Sequence, residues 1–153
     1  MERRKKMKTV IIYYSLHHGN TKKLVDAIAA AHDVDLIDAL RPAKTDLSEY
    51  DCIGFASGIY GGSFGKPLLE FAQQYLPEGK KVFFLYTCAI KLKHYTNNIR
   101  KIVNAKRCRI LGAYSCKGYN TFGPFKLIGG TSKGHPDQKE IQAAEAFFRE
   151  MIQ

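Results

Sequence analysis

Five short apolar segments alternate along this chain with segments whose apolar residues recur at helical spacing. The apolar segments predict strands near residues 8–14, 34–38, 51–57, 81–87 and 108–114. The first, third and fourth are almost continuously apolar, which is typical of strands that are covered on both faces. The alternation therefore predicts an α/β fold, a doubly wound parallel sheet with helices on both faces.

The segments between the strands predict four helices. Their apolar residues recur at helical spacing across residues 24–31, 68–75, 99–103 and 141–151. The connection 40–50 is short and contains a proline, so we expect only a stub of helix there. The stretch 118–136 is the one long irregular segment, and such segments in compact domains are usually functional.

Length and composition indicate one globular domain. The chain has 153 residues, 45% of them hydrophobic, and no segment approaches the roughly 18 consecutive apolar residues of a membrane helix. A basic tail over residues 1–8 precedes the domain, 9–153, and the apolar run after the tail is too short for a signal peptide. We therefore expect a cytoplasmic protein without membrane insertion. The four cysteines lack CxxC spacing, so we expect no metal site.

Charge is distributed unevenly along the chain. The formal net charge is +10, and residues 79–136 contain twelve Lys and Arg but no Asp or Glu. Basic surfaces bind phosphates, nucleic acids, anionic membranes or acidic proteins, and charge alone does not choose among them. Because no helix-turn-helix, RRM or KH pattern accompanies the charge, we expect no specific nucleic-acid binding.

The junction between the first strand and the first helix is polar. It reads Ser15-Leu16-His17-His18-Gly19-Asn20-Thr21 and brings hydroxyl, amide and backbone N–H donors to a helix N-terminus. The helix dipole and the first N–H groups favour a phosphate at such a position. The alternative is that a serine or asparagine only caps the helix and nothing binds.

The third strand leads into a glycine-rich segment with two aromatic residues, Ser57-Gly58-Ile59-Tyr60-Gly61-Gly62-Ser63-Phe64-Gly65. Glycine lets the backbone approach a flat ligand, on which aromatic rings stack. In a sheet of order 2-1-3-4-5, this loop and the loop after strand one flank the topological switch point, where ligands bind. Because GxxxxGK[ST] and GxGxxG motifs are absent, the sequence indicates a monophosphate with a planar ring.

These motifs resemble those of flavodoxins, specifically the short flavodoxin-like proteins of bacteria, over nearly the whole chain. The resemblance rests on five motifs: Tyr14-Ser15 with Gly19-Asn20-Thr21, Ser57-Gly58-Ile59-Tyr60-Gly61-Gly62, Ser115-Cys116-Lys117-Gly118, Thr121-Phe122-Gly123-Pro124-Phe125, and Gly134-His135-Pro136. It implies a flavodoxin-like five-stranded sheet of order 2-1-3-4-5 that binds FMN without covalent attachment.

The resemblance also implies which residues hold the cofactor. The loop after strand one would hold the FMN phosphate, Tyr60 would stack on the isoalloxazine, and the Gly61 peptide would reorient toward flavin N5 on reduction. The full set of implied cofactor-binding residues is Ser15, His17, His18, Gly19, Asn20, Thr21, Ser57, Gly58, Ile59, Tyr60, Gly61, Gly62, Thr87 and Cys88.

The chain departs from the family pattern in three places. Its phosphate loop is one residue longer than the commonest pattern and has His17-His18 where a threonine is usual. The loop after strand four lacks the acidic residues and the clear stacking aromatic of long flavodoxins. The second flavin face is therefore left to Tyr95, to His94 or to neither. Flavodoxins are typically acidic, whereas this chain is basic.

The resemblance implies a non-enzymatic, monomeric carrier of single electrons between redox partner proteins. The alternative is an FMN-dependent reductase that moves electrons from NAD(P)H to quinones or other small acceptors, because fold does not determine function. Four lysines of the acid-free block, Lys91, Lys93, Lys117 and Lys126, are expected near the flavin. We therefore expect the partner to present an acidic docking face.

Overall fold

The structure of the protein, a computed structural model, describes residues 6–16, 19–118 and 134–153. Its elements in chain order are β1 (Thr9–Tyr14), α1 (Asn20–Ala31), β2 (Asp35–Asp38), β3 (Cys52–Tyr60), β4 (Ser63–Phe64), α2 (Lys66–Tyr75), β5 (Lys81–Cys88), a 3-10 helix (Lys93–Thr96), α3 (Asn97–Ala105), β6 (Arg109–Lys117) and α4 (Gln138–Met151). The five predicted strands and the four predicted helices are all present.

Five strands form one parallel sheet in the order β2-β1-β3-β5-β6. When the short strand β4 is left out of the numbering, this is the order 2-1-3-4-5, so the predicted fold class is confirmed. The switch point lies between β1 and β3, because the chain runs from β1 to β2 on one side and then to β3 on the other. The carboxyl ends of β1 and β3 therefore border the expected ligand crevice.

Helices cover both faces of the sheet. On one face, α2 and α3 pack over Phe55 and Phe84, and on the other, α1 and α4 pack over Phe83. All three rings are fully buried. Because consecutive residues of a strand point to opposite faces, Phe83 and Phe84 fill different cores. This arrangement explains why the central strands are continuously apolar rather than alternating.

The structure adds a hairpin that the sequence pattern did not predict. β3 runs beyond its expected end to Tyr60 and pairs with β4 in an antiparallel hairpin, with Tyr60 opposite Ser63. The turn consists of Gly61 and Gly62, whose φ angles are 60° and 79°. Two consecutive positive φ angles match a type I′ turn, which glycine adopts without strain. The side chain of Phe64 is buried and ties the hairpin to the core.

The connection 40–50, in which a stub of helix was expected, contains no helix. Two local side-chain bonds occupy it: the Asp38 carboxylate accepts from Leu40 N at 2.9 Å, and the Asp46 carboxylate accepts from Ser48 N at 3.0 Å. Bonds of this kind satisfy backbone N–H groups in turns and so compete with helix formation.

Several residues named by the sequence analysis lie outside the described residues. These are most of the basic tail, His17, His18, and the segment 119–133 with Lys126. Among the helices that the structure does describe, none is long and apolar enough to cross a membrane.

Candidate functional site

The loop after β1 delivers the N-terminus of α1 to the carboxyl edge of the sheet. Gly19 occupies the N-cap position in the left-handed conformation, with φ 63°, and the first turn carries no acidic residue. The Ser15 hydroxyl accepts a hydrogen bond from Lys22 N at 3.2 Å. The Lys22 ammonium pairs with Asp26 at 2.7 Å and is directed along the helix. The start of α1 thus combines uncharged donors with the positive end of the helix dipole.

Two buried hydroxyl groups join this helix to the end of β5. Thr21 Oγ1 and Thr87 Oγ1 lie 3.1 Å apart, and the two residues are 1% and 4% exposed. The bond between them uses one of their two hydroxyl protons and leaves the other for a further acceptor. The sequence resemblance placed both residues at the cofactor, and the structure brings them together.

The end of β6 meets the same helix start. A Cβ atom added at Gly118 would lie 2.6 Å from Asn20 Nδ2, so the Asn20 amide packs directly on the backbone there. Gly118 N donates to the Cys88 carbonyl at 3.2 Å, which joins the ends of β5 and β6. Asn20, Thr87 and Cys88 therefore belong to one cluster at the carboxyl edge.

Tyr60 links the two loops that flank the switch point. Its ring lies edge-on to Tyr14, with ring centroids 5.2 Å apart and planes at 61°. Its hydroxyl oxygen accepts a hydrogen bond from Leu16 N at 3.0 Å. The pKa of Tyr60 is raised above the usual 10.0, because the effect of burial outweighs that of the hydrogen bond from Leu16, which lowers it. The phenol is therefore neutral at physiological pH. Stacking of Tyr60 on a flavin stays a prediction.

Hydrogen bonds within the loop after β3, and one from α3, fix its conformation. Within it, the Ser57 hydroxyl donates to the Gly58 carbonyl at 2.6 Å and accepts from Gly65 N at 2.9 Å. Ser57 is fully buried, so in this conformation its side chain braces the loop. From outside, Asn98 Nδ2 of α3 donates to Ser63 Oγ at 3.0 Å.

The turn of this hairpin is open toward the crevice. A Cβ atom at Gly61 would have no heavy atom within 4 Å, and one at Gly62 would lie 3.4 Å from His94 Nε2. His94 is exposed, whereas Tyr95 is half-buried with its ring edge-on to Tyr86 at 6.3 Å. Both candidates for the second flavin face lie in the 3-10 helix Lys93–Thr96, and the His94 ring is the one beside Gly62.

A cleft of about 450 Å³ lies between the ends of β5 and β6 and the start of α4. It is lined by Cys88, Ala89, Lys91, Tyr114, Ser115, Cys116, Lys117, His135 and Glu140. Burial raises the pKa of the Cys116 thiol to about 12 and also raises that of Cys88. Both thiols are therefore neutral at physiological pH, as expected of inert rather than nucleophilic cysteines.

His135, Asp137 and Glu140 form a cluster with ligand atoms within 4.8 Å of one another. The Glu140 carboxylate accepts from Lys117 N at 2.9 Å, from Asp137 N at 3.1 Å and from the His135 ring. Asp137 in turn caps α4 by accepting from Glu140 N at 2.9 Å. The cluster is thus a capping box that also anchors β6, and its sequence signal was the Asp-x-x-Glu spacing.

The site residues named from the sequence fall into four groups. The structure brings seven of them together around the start of α1: Ser15, Gly19, Asn20, Thr21, Tyr60, Thr87 and Cys88. Gly61 and Gly62 form the adjacent turn, Ser57 and Ile59 pack inward, and the Gly58 backbone lies against the Tyr60 hydroxyl. His17 and His18 lie outside the described residues.

Comparisons with known proteins agree with this geometry. A family model described as a flavodoxin domain matches residues 11–122. An uncharacterized protein of Methanocaldococcus jannaschii is 34% identical over 148 residues, which cover 95% of this chain and 99% of that protein.

Two solved structures share the fold. One is a flavodoxin from the domain Archaea, with 17% identity, a TM-score of 0.62, and coverage of 94% of this chain and 96% of its own. The other is a flavoprotein in complex with FMN from Lactobacillus acidophilus, with 22% identity, a TM-score of 0.58, and coverage of 71% and 93%. Because the family model spans well over half of the sequence, this chain belongs to the flavodoxin domain family.

Proposed function

We propose that this protein binds FMN without covalent attachment and carries single electrons between redox partner proteins. The observation that carries the proposal is the meeting of the α1 N-terminus, the Thr21–Thr87 pair and the hairpin turn at the switch point of the sheet. When bound, FMN would supply a group that takes up and returns electrons one at a time.

The donor set suits a phosphate monoester. Ser15, Asn20 and Thr21 offer hydroxyl and amide groups around the first turn of a 12-residue helix. The nearest lysine of the helix, Lys22, is already paired with Asp26. We expect N–H and O–H donors and the helix dipole to hold the phosphate, as at other helix N-termini that bind anions.

The hairpin suits a planar ring. The positive φ angles of Gly61 and Gly62 leave the turn without side chains, so a flat group is able to approach its peptide groups. Tyr60 supplies an aromatic ring next to this turn. The neutral thiols of Cys88 and Cys116 offer no nucleophile, which favours a carrier over an enzyme that acts covalently on a substrate.

The test compares the binding of FMN and of riboflavin to the purified protein. We expect quenching of flavin fluorescence at low FMN concentration and much weaker quenching by riboflavin, which lacks the phosphate. The FMN-loaded protein, mixed with NADPH or NADH alone, is expected to leave the nicotinamide absorbance unchanged, because a carrier needs a separate reductase. Absence of FMN binding would contradict the proposal that FMN is the cofactor. Rapid NAD(P)H oxidation would support the reductase alternative instead.

A further inference from the structure

Exposed large apolar side chains are concentrated at one edge of the molecule. Among the described residues they are Leu16, Leu40, Ile90 and Leu92, with 43%, 51%, 61% and 44% of their surfaces exposed. Leu16 follows β1, Leu40 follows β2, and the other two follow β5. Because the carboxyl ends of parallel strands lie at the same edge of a sheet, all four stand on that edge.

Three exposed lysines of this edge stand in the loop after β5 and at the end of β6. Lys91 and Lys93 alternate with the two apolar residues of the loop after β5, and Lys117 ends β6. None of the three forms an ion pair with another residue that the structure describes. Their charge is therefore available to a partner.

The amino edge of the sheet is charged as well, but it lacks the apolar side chains. Lys81 and Arg109 begin β5 and β6 there and are exposed, and Lys8, just before β1, forms an ion pair with Glu49. Among the described residues, none of the exposed large apolar side chains lies at that edge. The combination of exposed lysines with exposed apolar side chains therefore distinguishes the carboxyl edge.

We propose that the carboxyl edge surface, formed by Leu16, Leu40, residues 90–93 and Lys117, docks a protein whose acidic rim surrounds an apolar patch. This rests on the proposed function, because the electron-transfer partner is then the protein that docks there. Interfaces of this kind combine a desolvated apolar centre with a charged rim that steers the encounter. The lysines select a partner of opposite charge, and the leucines and Ile90 give contact area that salt does not screen.

A protein partner fits this surface better than a membrane or a nucleic acid. Membrane-binding clusters of Lys and Arg typically lie on or next to an amphipathic helix. Here the apolar side chains stand on three separate loops, and the loop after β5 contains only a 3-10 helix of four residues, Lys93–Thr96. Nucleic-acid phosphates would leave Ile90 and Leu92 in water, whereas an apolar patch on a protein would cover them.

The experiment uses two small redox proteins as probes, an acidic plant-type [2Fe–2S] ferredoxin and a basic c-type cytochrome. Affinity for the full chain is measured at low and at physiological salt, and the contact surface is mapped by NMR shift changes. We expect the acidic probe to bind at low salt and to shift residues 16, 40, 90–93 and 117. The basic probe is expected to bind at least tenfold more weakly.

Charge and apolar contributions are separated by variants. The pair Lys91→Glu and Lys93→Glu is expected to weaken binding of the acidic probe at least tenfold. A matched control, Lys101→Glu with Arg109→Glu, changes the net charge equally at exposed positions on α3 and at the start of β6, and is expected to change binding less than threefold. The pair Ile90→Ser and Leu92→Ser is expected to weaken the binding that persists at physiological salt.

Three results would overturn the docking surface: equal effects of both charge-reversed pairs, equal binding of the two probes, or binding to anionic vesicles with no binding of the acidic probe. FMN affinity of every variant is measured in parallel by flavin fluorescence. If the protein does not bind FMN but the acidic probe produces the expected NMR shift changes, only the proposed function is contradicted. A chain that binds FMN but is insensitive to the carboxyl-edge variants contradicts only the docking surface.

Discussion

Replacing Thr21 by valine tests the centre of the candidate site. Valine keeps the shape of the side chain but removes the hydroxyl that lies 3.1 Å from Thr87 Oγ1. Both residues are almost fully buried. The change therefore removes one hydrogen bond and leaves the Thr87 hydroxyl buried without this partner, which costs about 1–3 kcal/mol of unfolding free energy.

FMN binding is expected to weaken in the same variant. A donor to a charged phosphate oxygen is worth about 1.5–3 kcal/mol, which corresponds to a loss of about tenfold to 150-fold in affinity. Riboflavin affinity is expected to change little. Urea denaturation measures the unfolding free energy, and flavin fluorescence measures both affinities.

The double variant, Thr21→Val with Thr87→Val, makes the test sharper. Because it removes both partners of the buried bond, its loss of stability is expected to be smaller than the sum of the single losses. Thr9→Val is the control, since Thr9 is a buried threonine at the opposite edge of the sheet. Additive losses of stability would show that the two hydroxyls are not coupled. Unchanged FMN affinity in all variants would show that the threonine pair is not part of the phosphate site.

Three further changes test other parts of the site. Tyr60→Ala is expected to weaken FMN binding about tenfold through loss of the ring, whereas Tyr60→Phe, which keeps the ring and removes the hydroxyl that accepts from Leu16 N, is expected to keep it within about threefold; equal losses would assign the effect to the hydroxyl. Gly61→Ala is expected to lower the unfolding free energy by about 1–2 kcal/mol, because φ is 60° and no steric clash adds to the cost; an unchanged urea midpoint would contradict this turn. The Asp137 cap bond lowers the pKa of its carboxyl below the usual 3.8, so the stability it adds is present above that value and is lost as the pH falls through the folded-state pKa. Asp137→Asn, followed by acid denaturation, is expected to remove part of that pH dependence.

The sheet was predictable because its signal is local and repeated. Central strands buried on both faces have to be apolar at every position, as Phe83 and Phe84 illustrate, and this requirement is visible without knowledge of the fold. The position proposed for the anion site followed from polar residues between β1 and α1 for the same reason. In both cases a few consecutive residues are enough to determine the local structure.

Other features depend on contacts between distant segments. The Thr21–Thr87 bond joins residues 66 positions apart, and no sequence pattern indicates which threonine of the chain meets Thr21. The hairpin of β3 and β4 was missed because Gly61-Gly62 was interpreted as a ligand loop, although consecutive glycines also favour a type I′ turn. The bond from Leu16 N to Tyr60 is likewise invisible in the sequence, because either group has many alternative partners.

Positive charge at the carboxyl edge occurs in two places, at the start of α1 and in the loop after β5. At the start of α1, Lys22 is paired with Asp26, so an anion there would meet backbone and hydroxyl donors together with the helix dipole. The exposed charges of Lys91 and Lys93 stand on another loop, the one after β5. Reversing those two charges is therefore compatible with an intact anion site. Because exposed charges attract oppositely charged molecules from solution, and salt weakens that attraction, the same lysines act on what approaches the edge.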